Sequence, residues 1–236
     1  MCCGSIVLGM GFTFDDSRPA DDESPGIPSP IAMMERLIAE NPKNGEVIFP
    51  YIGGEEVNSS CTHAHHCYVI NYGERSEEEC RREWPELIAI VEQKVKPGRL
   101  AQNREIRLRY WWRFGETCPA LYEAISGRDR VLAIPCISNT LAFASLKPSV
   151  VFSHKLIVFP LQEASSLALM QSRTHEFWAR SFASSMKDDL NYSLLRLLRH
   201  LPIPHRSPRF RRHRSIPGSH APKPRSHRRA LLPVPR

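Results

Sequence analysis

Apolar residues along this chain come in short bursts, and their spacing switches between strand-like alternation and helical periodicity. GSIVLGMGFTF (Gly4–Phe14) reads as a short strand with no partner strand before it. DDSRPADDESPGIPSP then gathers acids, prolines and serines, a composition that favours a solvated linker. Ser29 as N-cap and Pro30 at the first helical position predict a helix over IAMMERLIAEN. EVIFPYIGG predicts a strand ended by Pro50 and a turn at Gly53-Gly54. CYVINYG (Cys67–Gly73) predicts another, with Tyr68 and Ile70 on one face and Val69 on the other.

Ser76 and Glu79 form a capping box that opens a helical region. Pro85 restarts it, and Leu87, Ile90, Val91 and Val95 follow at helical spacing. LAQNREIRLRYWWRFGE predicts a second helix, in which Arg104, Arg107, Arg109 and Arg113 interleave with Tyr110, Trp111, Trp112 and Phe114. Pro119–Gly127 is a short helix with a proline start and a glycine stop. From Arg130 to Phe159 the pattern turns β-like through RVLAIPCIS, TLAFASL, SVVFS and KLIVFP. EASSLALMQSRTHEFWARSFASS predicts one amphipathic helix with Leu167, Met170, Thr174, Phe177 and Ser181 along a stripe. The body is therefore α+β, mixing helices with short strands, without internal repeats.

Charge divides the chain. From Leu194 to Arg236 there are 11 Arg, 1 Lys and no acid, a net of +12. The whole chain has 32 basic and 25 acidic side chains, so residues 1–193 carry 20 and 25, a net of −5. Such asymmetry marks either a nucleic-acid-binding arm or a segment whose composition serves nothing. The seven cysteines follow no framework spacing, and MCCGSIVLGMGF lacks the basic start of a signal peptide. No apolar run approaches the roughly 18 residues that span a bilayer. A cytoplasmic, reducing setting without membrane attachment is expected.

CTHAHHC (Cys61–Cys67) offers zinc-type ligands, but an extended segment rising ~3.3 Å per residue sets Cys61 and Cys67 roughly 20 Å apart. His63 and His65 share that face, yet bonds of about 2.0–2.3 Å cannot bridge such a span. A polar loop running into a strand is the simpler reading, and no metal is expected. No GxSxG, HExxH or phosphate loop is present. The Arg/Trp segment is more informative. Guanidinium groups contact phosphates and guanine edges, and flat rings stack or fill a core. Core packing of Trp111, Trp112 and Phe114, with arginines on a solvated face, stays open beside DNA contact.

The series GSIVLGMGF, NPKNGEVIFPYIGGEEVN, CYVINYGERSEEE and WPELIAIVEQKVKP resembles the segment after the catalytic domain in MmeI-like (type IIL) restriction–modification proteins. REIRLRYWWRFGETCPALYEAI, RVLAIPCISNTLAF and QSRTHEFWARSFASSMKDDLNYS carry the same resemblance, which covers residues 4–193 in family order. It implies the target recognition domain of an adenine-N6 DNA methyltransferase, often fused to an endonuclease. Residues 1–30 would end the methyltransferase domain and form a linker, and residues 31–193 would be the recognition domain. The FxGxG-type and [ND]PP[YF] motifs that hold S-adenosylmethionine and the extruded adenine are absent here, and Asn41-Pro42-Lys43 is no substitute. The cofactor is thus expected for an upstream methyltransferase domain and not for this chain, which is not expected to be active alone. Double-stranded DNA is the implied partner. The implied contacts are Arg104, Arg107, Trp111 and Arg113, with Ser138, Asn139, Thr140 and Ala142 on the β segment. Relatives carry charged residues in that segment, whereas these four are small or polar.

After LNYS the family continues with a sequence like PSDCFETFPFP. Plausible codons for Leu195–Pro202, read one nucleotide later, translate as Ser-Asp-Cys-Phe-Asp-Thr-Phe. The acid-free basic tail, residues 194–236, is accordingly expected to be unstructured and the product of a frameshift near Ser193–Leu194. A degenerate structural or interaction domain without DNA specificity is the alternative. The acidic body favours it, because net negative charge does not attract phosphate.

Overall fold

The structure, a computed structural model, describes residues 2–16, 24–101, 105–186 and 189–192. Arg104 and the tail from residue 194 lie outside the described residues. In chain order the first elements are β1 (Cys2–Cys3), β2 (Thr13–Phe14), α1 (Ile31–Glu40), β3 (Ile48–Ile52), α2 (Gly54–Ser59) and β4 (Cys67–Ile70). Four helices follow: α3 (Glu77–Glu83), α4 (Pro85–Lys94), α5 (Lys96–Leu100) and α6 (Glu105–Arg109). Next come α7 (Pro119–Ile125), β5 (Val131–Pro135), β6 (Ile137–Ser138), β7 (Ala144–Leu146), β8 (Val151–Phe152) and β9 (Leu156–Phe159). The last are α8 (Ala164–Met170), α9 (Arg173–Phe182), β10 (Ser184–Met186) and β11 (Asp189–Asn191).

Strands β1-β9-β5-β7 make an antiparallel sheet whose centre is apolar in unbroken runs, VLAIP and LIVF. Every residue of β5 and β9 is buried, as expected of strands covered on both faces. Val131, Ala133, Leu156 and Val158 pack towards Leu121 and Ile125 of α7 and Val57 of α2. Leu132, Ile134, Ile157 and Phe159 pack the other way, against Phe143, Ala179 and Tyr192. A second sheet, β2-β4-β3-β8, is antiparallel except for the β3–β8 pair, and buries Phe14, Ile48 and Val69 against Leu87 and Val91 of α4. Fully burying a side chain such as Leu87 stabilises by about 1.5–3 kcal/mol. The third sheet, β10-β11-β6, is a short ribbon.

Several elements depart from their expected form. The amino-terminal run finds its partners far along the chain: Cys2 and Cys3 pair with Val158 and Ile157, and Thr13 and Phe14 with Val69 and Tyr68. Helix α1 starts one residue late. Ser29 bridges to Phe14, Pro30 is the N-cap, and Asp16 Oδ1 accepts from the Ile31 N–H at 2.8 Å. Pro50 lies inside β3, where pairing to β8 has not yet begun, and Gly53 caps α2 instead of making a turn. The Ser76 cap, the Pro85 restart and the Pro119 helix followed by left-handed Gly127 form as expected.

The expected Arg/Trp helix stops at Arg109, and Tyr110–Phe114 continue as turns that turn the large rings inwards. The single amphipathic helix is two helices. Ser172 Oγ accepts from the His175 N–H at 3.2 Å and starts α9 in a new phase. The inward face is therefore Leu167, Met170, Trp178 and Ala179, and Phe177 points to solvent at 78% exposure.

Candidate nucleic-acid interface

Strand β6 leads into a short polar loop held from four directions. On one side β11 pairs with it, Leu190 opposite Ser138 and Asn191 opposite Ile137. From α2, Asn58 accepts from Ser138 Oγ at 2.9 Å and donates to the Ile137 carbonyl at 3.5 Å. From α9, Arg180 Nη2 donates to the Asn139 carbonyl at 3.3 Å, while its Nε donates to Glu176 Oε1 at 3.1 Å. Gln171 donates to the Phe143 carbonyl at 2.8 Å, and the Phe143 ring anchors the loop's far end against Phe159 and Tyr192.

Between these ties Asn139, Thr140 and Ala142 are exposed. An Asn amide pairs bidentately with adenine N6 and N7, a Thr hydroxyl takes either a donor or an acceptor, and a methyl packs on thymine's methyl. Ser138 does not belong with them. It is buried, and its hydroxyl is committed to Asn58 and to the Thr140 N–H at 3.3 Å, so it shapes the loop from beneath.

The Arg/Trp segment divides in the same way. Trp111 is 5% exposed, its ring packed on Trp112 with Lys96 and Arg81 against it, so no open face remains for a base. Arg113 is a clasp: Nε and Nη2 donate to the Arg75 carbonyl at 3.0 and 2.7 Å, and Nη1 to Glu74 Oε2 at 3.0 Å. Trp111 and Arg113, both expected at DNA, are thus engaged within the fold. Arg107 is half-buried on an open cleft of ≈ 380 Å³, beside Arg99, Tyr110 and Glu116. Arg99 is buried, with Nη2 donating to the carbonyls of Val7, Leu8 and Arg113. Burial, with Arg107 nearby, lowers its guanidinium to about 10.

Among the described residues, Glu56, His66 and Cys67 bring possible metal-ligand atoms within 4.8 Å of one another. Only Cys67 is shared with the face considered from the sequence. Glu56 already accepts from the Gly53 N–H at 2.8 Å and lies 3.2 Å from His66 Nδ1, and burial pushes the Cys67 thiol up to about 12. Glu56 thus caps α2 and pairs with His66 at the surface. No helix among the described residues is long and apolar enough to cross a membrane.

An α+β body that presents one polar loop on rigid supports has the build of a recognition module. The family model "MmeI, target recognition domain" matches residues 31–205, and the chain belongs to that family. Among solved structures, the type IIL restriction–modification enzyme MmeI in complex with DNA is similar in fold, with a TM-score of 0.59 and 16% identity. The similarity covers 81% of this chain and 23% of that one, so this chain spans under a quarter of MmeI's length. No curated protein sequence matches the chain.

The holders Asn58, Gln171 and Arg180 were not legible as site residues. Only the Glu176/Arg180 spacing signalled anything, and that was a helix-surface ion pair.

Proposed function

We propose that this chain is the sequence-specific DNA recognition part of an adenine-N6 DNA methyltransferase of a restriction–modification system. One observation carries the reading: in a chain of this family, the side chains of Asn139, Thr140 and Ala142 are exposed while the backbone is held by Arg180 at Asn139 and, on either side, by Asn58 at Ile137 and Gln171 at Phe143. Rigid support is what base readout needs, because discrimination rests on hydrogen bonds of fixed direction. MmeI, the structural relative, was solved on DNA, and double-stranded DNA is the partner proposed here. Methyl transfer from S-adenosylmethionine belongs to a separate catalytic domain, since the cofactor and adenine-pocket motifs are absent from this sequence. Arg107, half-buried at the cleft, takes a backbone phosphate and fixes register without reading sequence.

Selection from random-sequence duplexes tests this. The full chain, with unlabelled competitor DNA present, should enrich one short motif. Supplied with a methyltransferase domain of the family, it should direct N6-methyladenine to that motif. Asn139→Ala or Thr140→Ala should change the enriched base at one position. Absence of any enriched motif would replace this reading with a domain lacking DNA specificity, which the net charge of −5 over residues 1–193 favours.

A further inference from the structure

The outward face of α9 sets a bare aromatic ring between two arginines. Arg173, Phe177 and Arg180 stand at i, i+4 and i+7, so they form one stripe on a helix. Phe177 is 78% exposed, and the Arg173 side chain 96%. Both arginines approach the one carboxylate of Glu176, at 3.6 Å from Arg173 and 3.1 Å from Arg180, so the stripe keeps a positive charge. Arg180 also touches the loop, donating to the Asn139 carbonyl at 3.3 Å. The stripe thus meets the loop at Asn139, beside the exposed Thr140.

We propose that this stripe is a second DNA-contacting element, deepening the recognition reading on which it rests. Arg173 takes a backbone phosphate, and Phe177 packs its ring on the sugar and base edge beside the bases that Asn139 and Thr140 read. Arg180 is a positioning residue, joining the stripe to the loop. Charge complementarity favours this occupant: a cationic stripe suits a polyanion, whereas two whole chains of formal net charge +7 each repel one another. An aromatic between arginines matches a polyanion that also has apolar sugar and base surfaces.

Phe177→Trp places a reporter on the stripe, and the full chain carries the test. Bound duplex DNA should shield Trp emission of this variant from acrylamide at low salt, beyond any shielding seen in the unsubstituted chain. Phe177→Ala should weaken binding of the enriched duplex, measured with excess unlabelled competitor DNA, about five- to tenfold. Arg173→Gln should reduce the slope of log K against log salt by about 0.9, the loss of one phosphate contact. Circular dichroism of each variant checks that the exposed substitutions leave the fold intact. If the unsubstituted chain enriches a motif and Phe177→Ala leaves affinity unchanged, α9 is not a contact and the recognition reading stands alone. If no motif is enriched but the reporter is shielded by every duplex, the stripe binds DNA and the recognition reading fails. Shielding that grows with protein concentration in the absence of DNA marks self-association and overturns the proposal, as does no shielding by any bound duplex.

Discussion

At the residue scale, exposure decides which side chains near the interface are free to act. Arg113 and Asn139 make the contrast. Arg113 spends its guanidinium on the Arg75 carbonyl and Glu74, whereas Asn139 is tied through its backbone carbonyl and its side chain is exposed. Arg113→Ala should therefore lower stability by about 2–3 kcal/mol, since charge-assisted bonds to partly buried carbonyls are lost. It should leave the preferred DNA sequence unchanged, and chemical denaturation alongside duplex selection separates the two effects. A change of base preference without loss of stability would return Arg113 to the interface. The sequence pointed to Ser138, Asn139, Thr140 and Ala142 together through family resemblance. Only the depth of Ser138 under Asn58 separates it, and depth comes from tertiary packing.

At the element scale, local rules held where the cause was local and failed where the partner was remote. The Ser76 cap and Pro85 restart need only neighbouring residues, and both form. The amino-terminal strand needs Ile157 and Val158, far along the chain, and no local pattern names them. Its fit is close: a Cβ on Gly4 would lie 2.3 Å from the carbonyl oxygens of Phe152 and Ser153. Gly4→Ala should consequently destabilise by about 1–3 kcal/mol, because backbone must shift to admit it. An unchanged melting temperature would show that residues 2–5 are not part of the folded unit. The α8/α9 break was missed for a related reason, since the Ser172 cap changes phase within a sequence that also reads as one helix. Helix α9 docks through His175, whose Nε2 lies 3.1 Å from Tyr192 Oη. Burial holds this imidazole below the ordinary histidine value. The unfolded chain therefore binds more protons between the depressed value and about 6.5, and stability is kept above that range and falls as pH drops into it. His175→Gln should flatten that part of the stability profile. An unaltered profile would assign the pH dependence to other groups.

At the scale of the whole molecule, charge works against the proposed function unless it is resolved by region. The formal +7 is the sum of +12 in residues 194–236 and −5 in residues 1–193. Counterion release should make the basic portion a strong, salt-sensitive and sequence-blind ligand for any duplex, so that it dominates total affinity measured on the full chain. Discrimination has a different source, the direction of a few hydrogen bonds from a held loop, and these do not depend on net charge. Ending the chain at Ser193 should then separate the two. Total affinity at low salt should fall by orders of magnitude, and the slope of log K against log salt should flatten. The ratio between the enriched motif and a scrambled duplex should be preserved or rise, because the sequence-blind background is gone. The melting temperature should stay within a few degrees, since the acid-free, proline-broken tail offers little apolar surface to offset the entropy of ordering it. The family match runs on to residue 205, past that truncation point, which makes the measurement decisive. A sharp drop in melting temperature would place residues 194–205 in the folded unit and end the frameshift account. Loss of the motif preference with stability intact would move sequence recognition out of the Asn139 loop and into the segment removed.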